Sequence, residues 1–114
     1  SVTATKAVTL ELVHQGRAWT LGHAYASVVL GRDAQCDVVI ADRSASRQHA
    51  RIECRRDKFF LVDQSTNGTF VAFAHEAEVE LRREEIMLRG TGRIAFGHTV
   101  DLAGTEFVAF SVRE

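Results

Sequence analysis

The stretch Gln48-His49-Ala50-Arg51-Ile52-Glu53-Cys54-Arg55-Arg56 decides the fold class. Ala50, Ile52 and Cys54 alternate with Arg51, Glu53 and Arg55, and His49 extends the polar side of the series. A period of two puts successive side chains on opposite faces of a strand, so this is a strand with one buried face. Cys54 falls on the apolar face, where a free thiol behaves as a small hydrophobe.

Outward from this strand the same signal recurs at close spacing. Val8–His14 alternates, Gln15-Gly16 turns, and Ala18–Leu21 returns as its hairpin partner. Val28–Leu30, ended by Gly31, and Asp37–Ile40 follow, then a polar loop over Ala41–Ser46. Beyond Arg56, the pair Asp57-Lys58 turns the chain into Phe59–Asp63, and Thr69–Phe73 resumes after Ser65-Thr66-Asn67-Gly68. Ile86–Arg89 and Arg93–Phe96 flank Gly90-Thr91-Gly92, and Glu106–Val112 closes the series. Many short strands with regular turn signals predict an all-β sandwich or barrel. The charged segment Ala74–Glu85 suits either a short helix or two edge strands. The alternation Val79-Glu80-Leu81 and the all-β surroundings favour strand, with Val79 and Leu81 inward.

A chain of 114 residues suits one domain and buries a real core without staples. We therefore expect a single domain over 1–114 with an ordered core at about 7–113. The chain starts at Ser1 and its only methionine is Met87, so it is expected to be a piece of a longer protein or a processed form. No apolar run is long enough for a membrane span, and none is expected; no secretory signal is visible in these residues. A net charge of −1 argues against a nucleic-acid partner. Two cysteines, Cys36 and Cys54, make no disulfide framework and are expected to be reduced thiols of a cytoplasmic protein.

Three loops carry unusual clusters: Gly31-Arg32, Ser46-Arg47-Gln48-His49 and Ser65-Thr66-Asn67-Gly68. Loops gather at the ends of a β-sandwich, where binding residues concentrate. Together they offer two arginines, three small hydroxyls, an asparagine and two glycines. Arginine matches phosphate oxygens with a planar fork of donors, while hydroxyls and loop amides fill the remaining acceptor sites. Gly68 suits a positive φ. A Ser46/His49 hydrolase pair lacks any sign of an orienting acid or oxyanion hole. His14, His23, His75 and His98 stand singly and form no metal-ligand set, Asp63 caps or braces its turn, and Arg82-Arg83-Glu84-Glu85 is a solvated face. Trp19 is core or a packed surface ring. No cofactor, metal or catalytic group is expected.

In order, spacing and identity, Gly31-Arg32, Ser46-Arg47-Gln48-His49 and Asp63-Gln64-Ser65-Thr66-Asn67-Gly68-Thr69-Phe70-Val71 resemble the GR, SRxH and STNGTFV signatures of the forkhead-associated (FHA) domain. The resemblance covers about Val8 to Val112. It implies an eleven-stranded antiparallel β-sandwich that binds a phosphothreonine peptide of a partner protein and catalyses nothing. It implies that Arg32 contacts the phosphate or the neighbouring peptide backbone. Ser46 would bond a phosphate oxygen, with Arg47 as a second phosphate ligand. Thr66 would assist through its hydroxyl or backbone, and Asn67 would hold the peptide main chain. Gly31, His49 and Gly68 would support the binding loops. Two positions depart from the pattern: Ala72-Phe73 replaces a second Asn-Gly turn, and Ser44 stands where a basic residue is common, with Arg43 beside it. The tail Val79–Gly97 resembles FHA modules attached to bacterial nucleotide cyclases, which implies a linked cyclase domain as the regulated partner. A phosphate-independent docking module is the alternative reading.

Overall fold

The computed structural model describes residues 7–114, so residues 1–6 of the expected domain lie outside the described residues. Eleven strands form two sheets, and among the described residues there is no helix. They are β1 (Thr9–His14), β2 (Arg17–Leu21), β3 (Ser27–Gly31), β4 (Val38–Val39), β5 (Ala50–Arg55), β6 (Lys58–Asp63), β7 (Thr69–Phe73), β8 (Val79–Leu81), β9 (Glu85–Leu88), β10 (Thr91–Phe96) and β11 (Val108–Arg113). A six-stranded sheet runs β2-β1-β11-β10-β7-β8, and a five-stranded sheet runs β4-β3-β5-β6-β9. All pairings are antiparallel except β3 with the two-residue β4, which run parallel.

The alternating residues meet between the sheets. Leu10, Leu12, Val71, Ile94, Phe96 and Val108 face Val28, Leu30, Ile52, Phe59 and Leu61 in one core cluster. Each such fully buried side chain contributes about 1.5–3 kcal/mol relative to exposure. Cys54 packs against this core as expected, Trp19 is half-buried against it, and both cysteines are free thiols.

The segment Ala74–Glu85 is a turn followed by strand. β8 forms one edge of the six-stranded sheet, and β9, beginning at Glu85, forms one edge of the five-stranded sheet. Leu81 points inward and is buried. Where the sequence lacks a second Asn-Gly, His75 takes the left-handed backbone (φ 63) in the β7–β8 turn.

One expectation from the alternation is corrected. His49 is not on the solvent face of β5; it is fully buried. β5 begins only at Ala50, so the strand period does not reach His49. Its ring instead meets Phe96 edge-on, with centroids 5.2 Å apart.

The registers set which loops share an end. Leu30 pairs with Ala50, Ala50 with Asp63 and Val62 with Glu85. Thr69 pairs with both Leu81 and Phe96. The loops after β3, β4, β6, β8 and β10 therefore converge at one end of the sandwich, as does the β1–β2 turn, because Val13 pairs with Ala109 at the start of β11.

Candidate functional site

The first of these loops leaves β3 at Gly31, whose φ is not in the left-handed region. Its need for glycine comes from closeness. A Cβ there would stand 2.1 Å from the Arg47 carbonyl oxygen and 2.9 Å from the His49 nitrogen. This contact lets the β3 end zip onto the loop before β5. The Arg32 N–H donates to Ser46 O (3.0 Å), Asp33 N–H to Arg47 O (3.1 Å) and His49 N–H to Leu30 O (2.8 Å). The Arg32 Nε donates to the Ala45 carbonyl, which aims the side chain across the loop and leaves its terminal nitrogens without a partner among the described residues. The Cys36 thiol donates to the Arg47 carbonyl at 3.2 Å. Its pKa is pushed up by burial and by the Asp33 charge, so it stays a thiol.

His49 joins two loops. Its Nδ1 accepts the Ser46 N–H at 2.9 Å, and its Nε2 faces the Gly68 carbonyl at 2.8 Å. Only the neutral ring protonated at Nε2 satisfies both partners. Burial pushes the His49 pKa down, against the opposing pull of the Gly68 carbonyl and of Asp63 and Asp42, which keeps that form. The Gly68 carbonyl also accepts the Gly97 N–H (2.9 Å), and Gly68 has φ 92, the left-handed backbone expected of it.

The Ser65–Gly68 loop is built on Asp63, which is buried. Asp63 Oδ1 accepts the Ser65 hydroxyl (2.6 Å), the Ser65 N–H (3.2 Å) and the Thr69 hydroxyl (2.6 Å), while Oδ2 accepts the Arg83 N–H (2.8 Å). Burial alone would raise this carboxyl; the Ser65, Thr69 and Arg83 bonds outweigh it and hold it below the usual carboxylate range. The Ser65 Oγ in turn accepts the Gly68 N–H at 2.8 Å. So fixed, the loop presents Thr66 and Asn67 to solvent.

Here the expected site residues meet. The Thr66 N–H donates to Ser46 Oγ at 3.1 Å, which leaves the Ser46 hydroxyl proton free to donate outward. Asn67 Nδ2 donates to the Ser44 carbonyl at 3.2 Å, leaving a second amide proton and Oδ1. Arg47 and Thr66 hold exposed side chains. The cluster thus offers hydroxyl and guanidinium donors around one junction of two loops. Among the described residues, Arg51, Arg55, Arg82, Arg89, Arg93 and Arg113 find carboxylates. Arg32, Arg43, Arg47 and Arg83, at the loop end, are in no such pair, nor are Arg17 at the β1–β2 turn and Arg56 and Lys58 at the opposite end. Four arginines without a carboxylate partner thus stand beside these donors, which suits an anion.

Three contributors escaped the sequence reading. Arg83 is exposed, as expected of the Arg82–Glu85 run, and in addition its Nε donates to the Ser65 carbonyl (3.2 Å). Glu106 is not in β11, and its carboxylate accepts the Ala41 and Asp42 N–H groups, both at 3.0 Å. His98 pairs with Asp42, whose other oxygen takes the Ser44 N–H at 2.8 Å. These are contacts between segments far apart in sequence, so no local pattern announces them.

A family profile described as the FHA domain matches residues 28–97, more than half of the chain. Among solved structures, the Mycobacterium tuberculosis Rv1747 FHA-1 domain has the same fold, with a TM-score of 0.69 at 22% identity over 96% of this chain and 100% of that one. The FhaA FHA domain, solved in complex with the intracellular domain of Rv3910, is 30% identical over 93% of this chain and 99% of its own, with a TM-score of 0.60. A domain from a study of phosphothreonine-dependent FHA domain interactions is 29% identical over 96% of this chain and 97% of its own, with a TM-score of 0.61. Among curated proteins, none matches.

Proposed function

Because the chain belongs to the forkhead-associated family, we propose that it is a binding module for a phosphothreonine on a partner protein, and that it acts by recruitment rather than catalysis. The observation that carries this reading is the Ser46–Thr66 junction, with Arg32 reaching over Ala45 beside it. A phosphothreonine brings about −1.5 to −2 charges and three strong acceptor oxygens at neutral pH. Arg32 and Arg47 supply the matching charge, and the Ser46 hydroxyl, its oxygen already engaged by the Thr66 amide, supplies a directed donor. Asn67 keeps one donor and one acceptor for a peptide main chain. The relative at 29% identity comes from work on phosphothreonine-dependent interactions, and the one at 30% was solved with an intracellular domain bound. Both fit a cytoplasmic recruiter.

Hydrolysis is disfavoured by the bonding of the site itself. Both His49 nitrogens are committed to the main chain, so His49 has no free basic lone pair to offer Ser46. In this reading the partner is a separate phosphoprotein or a linked segment of the parent chain, a nucleotide cyclase domain among them.

Titration with matched phosphothreonine, phosphoserine and unmodified peptides tests the proposal. Preference for phosphothreonine is expected. A charge-assisted hydrogen bond contributes about 1.5–3 kcal/mol, so Arg32→Ala or Ser46→Ala should weaken binding by about 10- to 100-fold while the fold persists. Equal binding of all three peptides, or unchanged affinity in both variants, would replace it with phosphate-independent docking.

A further inference from the structure

The loop that carries Ser44, Ala45 and Ser46 is held from below by residues outside the family-matched segment. Glu106 Oε1 accepts the Ala41 and Asp42 N–H groups at 3.0 Å, and Oε2 receives His14 Nε2 at 2.5 Å. One residue further, the Asp42 carboxylate divides between the Ser44 N–H and His98 Nε2. His98 Nδ1 faces the Thr99 carbonyl at 3.1 Å. Both partners of the His98 ring are acceptors with no proton to give, so only the doubly protonated imidazolium satisfies both. His49, at the other end of the same loop, needs the neutral ring.

We propose that His98 and Glu106 are positioning residues for phosphothreonine recognition, and that His98 serves as an imidazolium, so that the site loosens when it loses one proton. The inference rests on the phosphothreonine reading above. Loss of that proton removes one hydrogen bond and the charge opposite Asp42. Asp42 then holds the Ser44 N–H less firmly. Ser44 and Ala45 are the residues whose carbonyls seat Asn67 and Arg32, and Ser46 follows directly. The charged and titratable groups facing this brace are few. His98 faces Asp42, with the Glu78 carboxylate on the adjoining Thr99 hydroxyl (2.8 Å) and Val100 N–H (2.9 Å), and His49 lies within electrostatic reach of Asp42. Glu106 faces His14, whose cross-strand neighbour is Arg17. The ionisable groups that touch His98 or the residues beside it are carboxylates, which favours the charged ring. Burial works against that charge, but the Asp42 hydrogen bond, the Thr99 carbonyl and the Asp42 charge outweigh it and set the His98 pKa above the usual histidine value.

The test uses the phosphothreonine peptide that an oriented library selects, titrated from pH 6 to 8.5. The ligand's second ionisation lies at about pH 6, so its own titration is nearly complete by pH 7.5. Wild-type affinity should fall several-fold between about pH 7 and 8.5. His98→Gln, which cannot titrate, should be flat over that range, weaker at pH 7 and level with wild type at the alkaline end. Glu106→Ala should weaken binding about tenfold, and Glu106→Gln, which keeps an acceptor oxygen, should recover most of it. Identical pH profiles for wild type and His98→Gln would overturn the proposal. A second measurement needs no variant: coupling is reciprocal, so saturating peptide should raise the His98 pKa read by imidazole NMR. An unmoved His98 titration would equally overturn it. A wild type without phosphothreonine preference at any pH removes the underlying reading, and the proposal with it.

Discussion

Replacing Gly31 by alanine adds one methyl group and should damage both fold and site. The new Cβ would lie 2.1 Å from Arg47 O, 2.8 Å from Arg47 C and 2.9 Å from His49 N. All three are main-chain atoms, so no side chain can swing aside. Restoring an ordinary contact requires β3 and the 45–49 loop to separate by roughly 1 Å, against a close-packed interior that resists such shifts. That separation stretches three bonds: Arg32 N to Ser46 O, Asp33 N to Arg47 O and His49 N to Leu30 O. At about 1 kcal/mol each, less about 0.4–1 kcal/mol for the stiffer unfolded chain, the net loss is about 2–3 kcal/mol. At about 4–8 °C per kcal/mol for a domain of this size, the melting temperature should drop by about 10–20 °C. Phosphothreonine peptide affinity should fall at least tenfold in the folded fraction, because Arg32 and Ser46 sit on opposite sides of the stretched seam. Thermal and urea unfolding with peptide titration would measure both. Gly22→Ala is the control: among the described residues its Cβ would meet nothing nearer than 3.7 Å, its φ is outside the left-handed region, and it should change little. A Gly31→Ala protein within 1 kcal/mol of wild type and of equal affinity would refute the close-approach argument.

Two further predictions concern the groups beneath the loops. Asp63→Ala leaves the Ser65 and Thr69 hydroxyls and the Arg83 N–H without their acceptor; at about 1–3 kcal/mol per stranded buried group, partly relieved by water, urea unfolding should show a loss of about 2–4 kcal/mol. The same carboxyl has a folded pKa below its unfolded value, so its contribution is complete above the unfolded pKa and disappears as pH falls through the folded one. His49 also has a lowered pKa, but as a base: below about pH 6.5 the unfolded chain takes up a proton that the native ring refuses. Stability should decline from there down to the folded pKa and then level. Imidazole NMR at pH 6 should show His49 neutral and protonated at Nε2; a charged His49 at that pH would contradict its bonding to Ser46 and Gly68.

Much of the fold was legible because strand alternation is local. Ala50, Ile52, Leu61 and Val71 announce a buried face through their neighbours alone, and all are fully buried. The reading failed at His49 because alternation predicts a direction only while the chain remains a strand, and β5 starts one residue later. Glu106 was misread for a related reason. It adjoins an apolar run and so passes for strand, yet its carboxylate serves amides 64 and 65 positions away. Arg83 is surface charge as expected, but its second role was not legible because its partner, the Ser65 carbonyl, comes from another loop.

By itself, the sequence determined the all-β class, the order of the three clustered loops and the residue types suited to an anion. Those properties depend on local backbone preference and side-chain chemistry, which neighbours in the chain already express. The tertiary structure alone decided that these loops share one end, that Gly31 is needed for closeness rather than for a left-handed turn, and that the His49 pKa is pushed down while that of His98 is raised. Each of these depends on strand register and on which acceptor or donor a distant segment brings to a ring nitrogen or a main-chain atom. A hydrogen bond between residues far apart in sequence has no local signature before the sheets pack.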